Sequence, residues 1–255
     1  MHLAVTRNEE GREARRGIDP HAVAHALEPM RVEDMQRRAT AIPWNCAGLF
    51  QVLAGSATTA SMKTSDVEIL IVPGWSSSGA DHWQSRWERS LKTARRVEQA
   101  DWFLPNRDAW VGTLISTVAK AASDLPVVLV AHSLGVATVV HAAQKLPAGT
   151  VRGAFLVAPA DVDNAAGWPV TESYTFDQHH HGFAPLPLDP LPFPSMLVAS
   201  ANDPFCSLAR AEILAKSWGA TLAPAGDLGH INVASGHGPW PEGLLKFGSF
   251  LKGLG

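Results

Sequence analysis

This 255-residue chain has no uninterrupted apolar stretch of the roughly eighteen residues that a transmembrane helix needs, which excludes a helical membrane span. A charge excess is missing too: 24 acidic residues face 21 basic ones, for a formal net charge of −3. That balance points to no nucleic acid and no anionic membrane surface as a partner. Cysteine is scarce. Cys46 and Cys206 lie far apart and form neither a disulfide framework nor a metal pattern, which suits a reducing, cytoplasmic setting. Metal-ligand spacing is absent as well. The run Gln178-His179-His180-His181 sits in a Pro-rich connection, where adjacent side chains rarely face one ion, so no metal is expected.

What is present describes a globular protein with ample core: 46% hydrophobic and 18% charged residues, with nine tryptophans. The length suits one generous α/β domain, or one domain with an appendage. The first sixty-one residues differ from the rest. Met1 to Thr40 is dense in charge and has no strand or helix period, and Ala41 to Ser61 is weakly apolar and broken by Pro43, Gly48 and Gly55. Residues 1–61 are therefore expected to be an extension that is disordered or not native, with the folded domain over 62–255. An export signal starting at Met35 is the competing reading, but Pro43, Asn45 and Gln51 interrupt its apolar core.

The chain is organised around Pro126 to Gly135, PVVLVAHSLG. A five-residue apolar run, Val127 to Ala131, meets His-Ser-Leu-Gly and then an apolar helical pattern at Val136, Val139, Val140 and Ala143. A serine on a sharp strand-to-helix bend stands clear of the sheet, above the amides of the helix that begins beneath it. The pattern is that of G-x-S-x-G, with Ala131 in place of the first glycine.

Other strands are predicted over Val67–Val72, Val97–Ala100, Ala154–Ala158, Ser195–Ser200 and Ala220–Ala223. Helices are predicted after Asp81 (as N-cap), from Asp108, over Leu208–Trp218, and from Pro239 or Trp240 to Leu251. Trp83, Trp87 and Leu91 share one face and read as core. Alternating strands and helices imply a mostly parallel sheet of about six strands with helices on both faces. All strand C-termini then share one edge, where ligands bind.

Four candidates follow strands and arrive at that edge: Trp75 in Pro73-Gly74-Trp75, Ser133, Asp203 in Asn202-Asp203-Pro204-Phe205, and His230 in Gly229-His230-Ile231-Asn232. A serine hydroxyl needs a base to remove its proton, and that base needs a carboxylate to fix its tautomer. The order Ser, Asp, His is one that such sets use. The amides of Trp75 and Leu134 are placed to receive an oxyanion. Asp161, which follows the preceding strand, is the rival acid. Gly74, His82, His132, Phe205 and Ile231 flank the predicted site and are read as pocket residues, although a histidine at a helix start is commonly structural.

At these residues the chain resembles the small α/β-hydrolase-fold serine hydrolases related to retinoblastoma-binding protein 9, including short bacterial members. The resemblance spans Met62 to Gly255. It rests on P-G-W followed by D-H-W-Q-S-R-W-E, on A-H-S-L-G, on N-D-P-F, and on G-H-I-N-V-A-S-G-H-G-P-W-P-E-G. It implies an α/β-hydrolase fold without a separate lid domain and a catalytic triad at Ser133, Asp203 and His230. The N-terminal segment and the His-rich loop depart from the family pattern. The expected activity is cleavage of a small-molecule ester or amide, without metal or organic cofactor, by a monomer or dimer. The different-class alternative is a protein-binding module on the same scaffold. Acyl transfer or carbon–carbon lyase chemistry on the same triad is a third reading.

Overall fold

The computed structural model describes residues 61–121, 125–169 and 182–255, all inside a unit spanning Thr58–Gly255. The extension read over 1–61 (Ser61 apart), the export signal and the His179–His181 run lie outside the described residues.

The chain runs β1 (Glu68–Val72), α1 (Trp83–Ser90), β2 (Ala94–Arg96), α2 (Arg107–Ala121), β3 (Val127–Ser133), α3 (Leu134–Ala143), β4 (Val151–Pro159), β5 (Ser195–Ala199), α4 (Leu208–Trp218), β6 (Thr221–Pro224) and α5 (Pro241–Lys252). The six strands form one sheet in the order β2-β1-β3-β4-β5-β6, and every pairing is parallel. Parallel strands need crossovers, and helices laid on both faces bury both sides of the central strands. That is why β1 and β3 read as apolar runs rather than alternations. Leu70, Val72, Leu129 and Ala131 pack into the core shared with α2, α3 and α4. Ile69, Ile71, Val128 and Val130 pack on the opposite face, with α1 and α5.

The tryptophan excess has a structural use on that second face. Trp83 and Trp87 of α1 meet Trp240 and Phe247, with ring centroids 4.8 Å apart for Trp83–Trp87, 5.1 Å for Trp83–Trp240 and 5.5 Å for Trp87–Phe247. Large edge-to-face and stacked rings fill this layer with few torsions to order.

Two local expectations are corrected. The second strand is Ala94–Arg96, not Val97–Ala100. It is an edge strand whose register pairs Leu70 with Arg95, and a charged edge protects against unwanted pairing, so polarity hid it from an apolar pattern. Helix α1 is capped by His82 rather than Asp81. The ring Nδ1 of His82 accepts the Gln84 amide, while Asp81 is exposed and paired with Arg86.

The sheet order reverses between β1 and β3, since β1 leads outward to β2 while β3 lies on its other side. A crevice opens at such a point beyond the strand C-termini. Gly74, Trp75 and Ser133 all sit there. Among the described residues there is no separate lid domain, and no helix is long and apolar enough to cross a membrane.

Candidate active site

Ser133 ends β3 and caps α3 with φ 55° and ψ −124°, a backbone state that a side-chain-bearing residue rarely adopts. The bend survives because its neighbours leave no alternative. A Cβ on Gly74 would lie 2.8 Å from the Ser133 Cβ and 3.1 Å from the Leu134 amide nitrogen. A Cβ on Gly135 would lie 2.2 Å from the Val72 carbonyl oxygen. The two glycines therefore let the end of β1 press against the start of α3. Ala131 stands fully buried in the core, so its methyl group costs the bend nothing that the packing does not return.

Ser133, His230 and Asp203 meet. Ser133 Oγ lies 2.9 Å from His230 Nε2, and His230 Nδ1 lies 2.9 and 3.0 Å from the two Asp203 carboxylate oxygens. Asp203 is buried and also accepts the Phe205 amide at 2.9 Å. The His230 loop is tied down from two sides. His132 Nε2–H donates to the His230 carbonyl at 2.8 Å, and Asn202 Oδ1 accepts the Gly229 amide at 2.6 Å. Asp161 goes elsewhere. It pairs with Arg210 at 3.1 Å and accepts from Asn164 at 2.7 Å, and no hydrogen bond joins it to His230.

The loop after β1 is the second strained segment, with Ser76 at φ 59° and Ser77 at φ 62°. Each such residue costs roughly 1–3 kcal/mol and persists only where its surroundings over-determine it. Here Arg96 does so, donating to Ser77 Oγ at 2.8 Å, the Ser78 carbonyl at 2.9 Å and Ser85 Oγ at 2.6 Å, while pairing with Glu88 at 2.9 Å. Gln84 adds a further clamp. It donates to the Val130 carbonyl at 3.1 Å and accepts from Ser78 Oγ at 2.6 Å. Nothing in the sequence marked Arg96, and Gln84 stood out only as one letter of the D-H-W-Q-S-R-W-E run, because their partners are mostly backbone and serine groups brought close only by the fold.

A cavity of about 440 Å³ opens over Ser133 and His230. Gly74, Trp75, His82, His132 and Phe205 line it, and no Asp, Glu, Lys or Arg does so among the described residues. Trp168 and Pro169, which the sequence reading missed, form part of the wall. Trp168 meets Phe205 edge-on at 5.4 Å, and Phe205 lies 4.3 Å from the His230 ring. Arg210 bridges Asp161 and Asp163 and so fastens the short helical turn Val162–Gly167, next to Trp168, to α4. Ile231 is a correction. It is fully buried in the α1/α5-face core and its carbonyl accepts Trp83 Nε1–H at 2.9 Å. Its φ of 47° turns the chain there, and Asn232, Val233 and Ala234 line the cavity instead.

Among the described residues no group of His, Cys, Asp and Glu is arranged to hold a metal ion. Burial, with Asp161 and Asp203 nearby, pushes the Cys206 thiol up to about 12, so it offers no reactive thiolate. Burial holds His82 down at about 4, helped by the charges of His230 and Arg96. Burial also holds His132 well below its ordinary value of 6.5. Protonating either histidine therefore works against the folded state. Both neutral rings suit the fold above pH 6.5, and stability is lost as pH falls below that, toward about 4 for His82. The melting temperature should decline steadily across that interval, and a flat profile would contradict buried neutral histidines.

The chain is similar to known proteins in sequence and in fold. Residues 69–249 match the family described as serine hydrolase. A YdeN-like hydrolase of Pectobacterium atrosepticum is 31% identical with a TM-score of 0.62, over 75% of this chain and 94% of that one. The ydeN gene product of B. subtilis (18% identity, TM-score 0.53, 72% of this chain and 98% of that one) shares the fold. So does an N-formylmaleamic acid deformylase of Pseudomonas putida (17%, 0.53, 70% and 90%). Among curated proteins no sequence matches the chain. With the matched family spanning most of the chain and a relative at 31% identity over nearly its whole length, this α/β hydrolase belongs to the serine hydrolase family.

Proposed function

We propose that Ser133, His230 and Asp203 are a catalytic triad that cleaves small, uncharged esters or amides through an acyl-enzyme. The observation that carries the reading is His230 held between Ser133 Oγ and the Asp203 carboxylate, with 2.9 Å on each side. His230 Nδ1–H donates to Asp203, which leaves Nε2 to take the serine proton as Oγ attacks the substrate carbonyl. The Trp75 and Leu134 amides receive the oxyanion, each donor worth about 10²–10³ in rate. His230 then returns the proton to the leaving group, and water repeats the sequence to release the acid.

The substrate class follows from the cavity. Walls of Trp75, Trp168 and Phe205 without a charged side chain favour an apolar acyl group. A volume of about 440 Å³ lies near the lower end of the roughly 300–1,000 Å³ of small-molecule sites, which keeps that group modest. Within serine hydrolases we place the chain with the relatives of retinoblastoma-binding protein 9, on the motifs around Trp75, Ser133, Asp203 and His230. We place it in the cytoplasm on its cysteine usage.

Labelling with a fluorophosphonate probe tests the reading. The parent protein should label at one site, and Ser133→Ala should not label at all. A folded parent that resists the probe would mean Ser133 is not activated, and a binding module on a hydrolase scaffold would be the better account.

A further inference from the structure

We infer that His82 is a binding residue that donates a hydrogen bond to the substrate through Nε2–H. The inference rests on the serine hydrolase reading above and adds a polar contact to an otherwise apolar wall.

The local bonding fixes which nitrogen carries the proton. His82 Nδ1 accepts the Gln84 amide at 3.2 Å, so its lone pair is occupied and the proton of the neutral ring sits on Nε2. Burial keeps the ring neutral at working pH, so this tautomer persists. His82 is only 6% exposed, and it lines the cavity that also holds Ser133. Its ring lies 5.0 Å from that of His132. The two histidines differ in one respect. His132 Nε2–H is committed to the His230 carbonyl, whereas no protein group among the described residues accepts from His82 Nε2–H. That nitrogen is not sealed inside the wall, so a bound molecule that supplies an acceptor can take the place of solvent there.

Capping alone does not account for a histidine at this position. Imidazole is not among the preferred N-cap groups, and asparagine would accept the Gln84 amide at least as well. What asparagine lacks is the reach of Nε2. The ligand chemistry is therefore a neutral acceptor on the substrate, an ester, amide or ether oxygen, consistent with a site bare of cations.

That difference supplies the test. His82→Asn and Ser133→Ala are compared with the parent in hydrolysis of p-nitrophenyl butyrate, alongside thermal melting. His82→Asn keeps a cap, so its melting temperature should match or exceed the parent's, while kcat/KM falls roughly tenfold through the lost contact. His82→Ala should show a similar kinetic loss, partly restored by added imidazole. Full kcat/KM in His82→Asn, with loss confined to His82→Ala, would overturn the inference, since the histidine would then be a cap alone. Turnover that survives Ser133→Ala would instead overturn the serine hydrolase reading itself.

Discussion

Replacing Asp203 with asparagine should lower kcat on p-nitrophenyl butyrate by about 10⁴ while leaving the fold intact, which is the scale on which loss of a triad carboxylate acts. The cause is a tautomer. Asparagine can still accept the Phe205 amide that Asp203 accepts at 2.9 Å, so the turn after β5 keeps its shape. Toward His230, however, an amide N–H can now face Nδ1, and Nδ1 answers by accepting. The ring proton then moves to Nε2, which lies 2.9 Å from Ser133 Oγ and becomes a donor where a base is needed. Loss of the carboxylate also removes the charge that stabilises the imidazolium formed during attack. Fluorophosphonate labelling should slow in parallel with kcat. The rival acid provides the contrast. Asp161→Asn weakens an ion pair with Arg210 in which the two side chains are 6% and 18% exposed, so the melting temperature should fall. Its kcat should stay within about tenfold of the parent, because a group that does not touch His230 does not set its tautomer. Similar kinetic losses in both variants would refute the assignment of the acid.

Those two aspartates show how far the sequence could be read. Both follow strands, and position alone left them as competitors. Three-dimensional pairing separates them, since Arg210 on α4 claims Asp161. The sheet was legible because β1, β3, β4 and β5 are buried on both faces and so read as apolar runs. The edge strand Ala94–Arg96 was not, because its register is carried by arginines. The candidate site residues were visible because each follows the C-terminal end of a strand. The groups that hold them were not. Arg96 fixes the loop at Ser77 and Ser78 through contacts that no spacing encodes, and Trp168 reaches the cavity from a Pro-rich connection with no periodicity. Ile231 failed differently. Adjacency to His230 suggested the pocket, but a residue with φ 47° turns away from the path its neighbours take.

Gly135→Ala should be the most destabilising small change in the elbow, by about 3 kcal/mol or more, the upper range for forcing atoms into a packed core. The new methyl carbon would stand 2.2 Å from the Val72 carbonyl oxygen and 2.7 Å from that of Pro73. Both obstacles are backbone, so no side-chain rotation relieves them. Either α3 lifts away from the sheet or the end of β1 moves, and the second option displaces Gly74 and Trp75, the proposed oxyanion side. For a domain of this size that loss corresponds to a fall of roughly 6–12 °C in melting temperature. Protein that still folds should also lose kcat more than it loses KM, since an oxyanion donor acts in the transition state. Gly248→Ala is the matched control. Nothing lies within 4 Å of a Cβ built there, and it sits inside α5, where alanine stabilises a helix over glycine by roughly 0.5–1 kcal/mol. The same chemical change should thus raise stability at 248 and collapse it at 135. Equal effects at the two positions would show that the small residue after Ser133 serves only backbone flexibility, and that the close approach of β1 to α3 does not hold the elbow.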